Sequence, residues 1–153
     1  MYLQLTKRKQ WLITLIIPLL LASCHVVLIG AYDQNVDESI QKISTDISTL
    51  LVKVEKNIDD NRAVDNKYDN FRESYINILG EVENLKIRTQ SLPKYKKVTE
   101  QVVLLDKNIH DLDSLHKTGF TDKRVVESAK TLIETSLQAM LSAQNALKRE
   151  KAS

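Results

Sequence analysis

Apolar side chains return every three or four residues in four successive runs separated by short polar breaks. The first run is Val36, Ile40, Ile43, Ile47, Leu50 and Val54, with Ile58 offset at its end. That spacing puts about one side chain per helical turn on a single face and predicts an amphipathic helix, since a strand would alternate by twos. Asn35, with Glu38 three residues on, predicts a capping box at its start, and "DDNRAVDN" predicts its end. The second run is Tyr68, Phe71, Tyr75, Ile78, Val82 and Leu85, ending near Leu92. Pro93 either closes that helix or opens the next, because it disfavours helical geometry at Leu92 yet suits a first turn.

The third run is Tyr95, Val98, Val102, Leu105, Ile109 and Leu112, closed by Gly119, a residue suited to a left-handed C-cap. Thr121 is the expected N-cap of the fourth helix, with Asp122 at its positive end. Its stripe reads Val125, Ala129, Leu132, Ser136, Met140, Ala143 and Leu147, widened by Val126, Ile133 and Leu137. The pattern thus predicts four helices of about 24–27 residues, each about 36–40 Å long. None buries its apolar stripe alone. The expected fold is all-α, an antiparallel up-down-up-down four-helix bundle over residues 35–150. An extended coiled-coil oligomer is the rival, and the short connections argue against it.

Upstream the pattern changes from periodic to continuous. Lys7, Arg8 and Lys9 precede the apolar run "WLITLIIPLLLA", which is the order of a positive n-region and an h-region in a secretory signal. Leu21, Ala22 and Ser23 then lead directly into Cys24, the one cysteine of the chain. This order resembles the lipobox of bacterial lipoproteins. The resemblance implies cleavage between Ser23 and Cys24, a diacylglycerol on the Cys24 thiol, and usually acylation of the new amino group. It divides the chain into a signal peptide, 1–23, a lipidated membrane tether, 24–34, and the helical domain.

Thioether formation would also remove a lone thiol that could form stray disulfides in an oxidising compartment. Tyr32-Asp33, shortly after the cysteine and before a long amphipathic helix, further resembles small helical lipoproteins of proteobacteria. In lipoproteins an Asp after the cysteine commonly retains the protein in the inner membrane. His25 stands there instead, which implies an outer-membrane location facing the periplasm. The alternative is an uncleaved signal anchor in the inner membrane. Trp11 to Tyr32 would measure about 33 Å as a helix, enough to span a bilayer, at the cost of placing His25 near its middle. Both readings put the helices on the outward side, because Lys7, Arg8 and Lys9 stay inside.

Charge alters the functional picture mainly by subtraction. The formal net charge of +2 becomes slightly negative once the basic leader is removed, so the footprint expected for nucleic-acid binding is lost. His110 and His116 lie near Asp106, Asp111 and Asp113, but the Glu-x-x-His motif of a bundle metal centre is missing. A solvated polar face is expected there, with no metal and no cofactor. No G-x-S-x-G motif or glycine-rich phosphate loop occurs, and the chain is not expected to be an enzyme. Tyr68, Phe71 and Tyr75 share the register of the core stripe and are expected to pack inside.

The turn "PKYKK" is the one charged feature out of place. Lys94, Lys96 and Lys97 surround Tyr95 at a helix start, the end that repels cations, and mark a candidate contact with anionic head groups or an acidic partner. The leading functional expectation is a non-catalytic protein-binding module held to the membrane by a lipid on Cys24, with an envelope protein as partner. A structural spacer is the second, with homo-oligomerisation left open. A signal-anchored sensory domain, resembling the four-helix ligand-binding domains of chemoreceptors, is the third.

Overall fold

A computed structural model describes residues 30–120 and 123–152. Leu21, Ala22, Ser23 and Cys24, and the expected capping pair Thr121 and Asp122, lie outside the described residues. Among the described residues there are four α-helices and no strand: α1, Gln34–Asp59; α2, Arg72–Ser91; α3, Lys96–Thr118; and α4, Lys123–Ala152. Two short 3-10 turns, Ala63–Asn66 and Tyr68–Asn70, connect α1 to α2. None of the described helices is long and apolar enough to cross a membrane.

The first helix begins two residues earlier than a capping box at Asn35 would place it. Asp33 is the N-cap, extended at φ −120°, and its carboxylate accepts the Val36 amide at 2.9 Å. Glu38 accepts the Gln34 side-chain amide instead of reaching back to the backbone. Downstream the stripe is buried as its spacing predicts, from Val36 through Ile40, Ile43, Ile47 and Leu50 to Val54, with Leu51 added. Each such side chain contributes roughly 1.5–3 kcal/mol when fully buried, so the face, more than intrinsic propensity, holds the helix.

The second helix is shorter than its apolar run. Tyr68 and Phe71 precede it, Tyr68 in a 3-10 turn and Phe71 at the N-cap position, and α2 has 20 residues. The apolar spacing continues because a 3-10 turn also returns a side chain to the same side every three residues. Leu92 is extended, ψ 134°, as a following proline requires, and α3 starts only at Lys96. Gly119 closes α3 with a positive φ of 98°, where a side chain would be strained, but its ψ of 132° is extended and not that of the expected left-handed cap.

The last helix corrects the expected register in its first half, while Met140 and Leu147 of the expected stripe are buried as predicted. Val126, Ile133, Leu137, Met140 and Leu147 are buried, whereas Leu132 is 63% exposed and Val125 39% exposed. Adjacent rows both satisfied the periodicity, but the row through Ala129, Ser136 and Ala143 offers small groups with little area to bury. Packing therefore favours the neighbouring row of larger side chains.

Each helix packs on its neighbours in sequence, and α4 returns to α1, so the four enclose one core. Contacts between ends accompany this packing. Arg88 near the end of α2 holds Asp33 at the start of α1 with two hydrogen bonds, 2.8 and 2.7 Å. Lys123 at the start of α4 pairs with Asp59 at the end of α1 at 2.6 Å.

Candidate functional site

Three places on the molecule carry chemistry beyond packing. The first is the α2–α3 turn. Tyr95 points inward, 2% exposed, and its hydroxyl donates to the Ala31 carbonyl at 2.6 Å. The Gly30 amide donates to the Lys94 carbonyl at 3.2 Å, with Lys94 in the left-handed region at φ 64°. Gly30 lies against the tyrosine ring so closely that a Cβ there would sit 2.2 Å from Tyr95 Cδ2. The turn thus clamps the segment that leads into α1. Asp33 tightens the clamp, since the Arg88 guanidinium beside it holds its carboxyl below the ordinary carboxylate value. The four residues singled out in the sequence consequently divide: Tyr95 is structural, while Lys94, Lys96 and Lys97 remain exposed.

At the opposite end lies a buried histidine. His116 was expected on a solvated face but is 1% exposed, enclosed by Tyr68, Phe71, Tyr75 and Phe120. Its ring stacks on Phe120 with centroids 4.3 Å apart. Nε2 lies 2.8 Å from the Asn66 carbonyl, which can only accept, so Nε2 carries the proton. Nδ1 is then the acceptor for the Tyr75 hydroxyl at 3.1 Å. Both nitrogens of the neutral ring are occupied. His110 is exposed and contacts Asp106 on its own helix, so the two histidines do not converge. No group of three or more metal-binding side chains is assembled among the described residues.

Burial pushes His116 below its ordinary value, opposed by the Asn66 carbonyl and the Asp113 carboxylate, which itself pairs with Lys117. Between that lowered value and about 6.5, the unfolded chain binds a proton that the folded chain refuses. The stabilisation is therefore complete above about pH 6.5 and declines as pH falls below it. Urea midpoints measured from pH 7.5 to 5.5 should fall more for the wild type than for His116→Gln, and parallel declines would contradict this assignment. Asp33 adds its own loss only at lower pH, below the ordinary carboxylate value near 3.8.

The third place is an open cleft of about 640 Å³ between α3 and α4. Leu112, Leu115, Val125, Ala129, Leu132 and Ile133 supply its apolar surface, and Asp111 and Arg124 stand at its edge. Leu104, one turn before Asn108 of the cleft, is 52% exposed. The sequence contained the signal for this surface: two apolar rows on α4, of which one core can bury only one. In comparison with known proteins, the chain matches no family model, no curated protein and no solved structure.

Proposed function

We propose that the chain is a bacterial envelope lipoprotein, cleaved before Cys24, anchored through a lipid on that residue, and acting as a non-catalytic protein-binding module. In this reading residues 1–23 are the signal peptide, 24–34 the tether and 35–150 an antiparallel up-down-up-down bundle facing the periplasm from the outer membrane. The Arg88–Asp33 and Lys123–Asp59 contacts, each joining a helix end to a helix start, support that topology. The observation that carries the binding role is the α3–α4 cleft, where Leu132 and Val125 present apolar surface to solvent between charged edges. Both nitrogens of His116 are engaged in structural hydrogen bonds, so this imidazole acts within the fold.

A tether raises local concentration for a partner in the same envelope without adding contacts. The reading is tested on the tagged full chain in cells supplied with labelled palmitate and then cross-linked. Label should enter the wild type and not Cys24→Ala. Leu132→Asp should fold normally, because the side chain is 63% exposed, yet lose at least ten-fold in capture of the wild-type cross-linked partner. Persistence of Cys24→Ala in membranes at unchanged size would favour the signal anchor, and an unchanged cross-link profile for Leu132→Asp would remove the cleft.

A further inference from the structure

We propose that the end of the molecule where residues 1–29 join the helices rests on anionic phospholipid head groups, contacted by Lys94, Lys96, Lys97, Lys148 and Lys151. This rests on the tethered reading above and adds the chemistry of the surface to which the domain is oriented.

Gly30 and Ala31, the first described residues, are hydrogen-bonded to Lys94 and Tyr95, so the root of the tether and the lysine turn form one structural unit. The last turns of α4 reach the same end, since Lys148 and Lys151 place their ammonium groups 5.7 and 5.5 Å from the Tyr32 ring centroid. Gly30 is six residue steps after Cys24, a span of at most about 20 Å. A lipid on Cys24 therefore keeps this end near the head groups, where surface charge acts over a screening length of about 8 Å.

At the far end most of the exposed basic groups meet acids: Arg62 meets Asp60 and Asp65, Arg72 meets Asp69, and Lys123 meets Asp59, with Lys56 and Lys67 set singly apart from them. At the tether end, Lys94, Lys96 and Lys97 have no ion-pair partner among the described residues. The nearby acids are engaged elsewhere: Asp33 binds Arg88, Asp37 accepts from Tyr32 and Gln41, and Glu38 accepts from Gln34. Glu100 and Glu150 are the other acids near this end, fewer than its five lysines. An anionic bilayer supplies the missing counter-charge. An acidic protein would have to share this end with the membrane that the tether already brings there.

Each lysine close to an anionic surface is worth about five-fold in occupancy. The test uses the full chain extracted from membranes and incorporated into vesicles of phosphatidylcholine, alone or with about one third phosphatidylglycerol. Vesicle flotation reads the tether, and residue-resolved labelling with an amine-reactive reagent reads the docking. The expected result is flotation with both lipids and labelling of Lys94, Lys96 and Lys97 slowed several-fold on the anionic vesicles alone, relative to exposed Lys67 at the far end. High salt should abolish the difference. Lys96→Gln combined with Lys97→Gln should reduce the protection of Lys148 and Lys151 several-fold while leaving the helical signal intact. Flotation with equal labelling on both lipids overturns the docking and leaves the tether standing. Protection that appears only on cross-linking to proteins in cells overturns it in favour of an acidic partner, and failure to float on either lipid overturns the tether and the docking together.

Discussion

Ile109→Asp should unfold the helical domain. Ile109 is fully buried in the middle of α3, within the core that all four helices share. Truncating an aliphatic side chain at such a position costs about 2–5 kcal/mol, and an unpaired carboxylate in its place adds several more. Against a total stability of about 5–15 kcal/mol, that loss leaves little or no folded population. Helical circular dichroism should collapse at 25 °C, while Ile109→Val, which keeps the shape and removes one methyl, should lower stability by only about 0.5–1.5 kcal/mol. Retention of the wild-type urea midpoint by the Asp variant would show that this face of α3 is not in a shared core.

The second large effect is expected at Tyr95. Its ring occupies the space over Gly30 and its hydroxyl holds the Ala31 carbonyl, so it joins the tether to the helices. Tyr95→Ala should lower stability by about 3–5 kcal/mol, the usual range for emptying a buried aromatic site. Tyr95→Phe retains the packing and should cost about 0.5–1.5 kcal/mol for the lost hydrogen bond. Hydrogen exchange distinguishes a local from a global effect. The Gly30 amide, bonded to the Lys94 carbonyl, should lose protection in Tyr95→Ala before the α1 amides do. Equal protection of Gly30 in the two variants would mean that the ring does not hold the junction.

Legibility of the candidate sites followed the range of the interactions that make them. "PKYKK" was visible as a charge anomaly, and Pro93 announced the break in the helix. Tyr95 heads the apolar stripe of α3, so its inward direction was visible, whereas its hydrogen bond to Ala31 and its seat over Gly30 were not, because they depend on a segment 64 residues away in sequence. His116 stands four residues after Leu112, so the stripe of α3 carried a signal of its burial. Its partners, Tyr75 and the Asn66 carbonyl, lie 41 and 50 residues away in sequence and had no such signal. The 3-10 turn that brings up Asn66 is itself fixed from α1, through the Val54 carbonyl and the Asn57 amide. A buried neutral imidazole requires such distant partners, and no local pattern specifies them.

The sequence by itself determined the helical class and the core faces of α1, of α3 and of α2 from Tyr75 onward, because a recurrence of apolar residues near 3.6 is a local property of the chain. It also located the breaks at "DDNRAVDN", Pro93 and Gly119, where backbone chemistry acts on one or two residues at a time. Tertiary structure decided between the two apolar rows of α4, turning Val126 and Ile133 inward and leaving Leu132 out. It also buried Gln144, 1% exposed, in a row otherwise occupied by apolar side chains. The physical reason is that a helix can satisfy its own hydrogen bonds at any rotation about its axis. Only contact with the other three helices makes one rotation cheaper than the next.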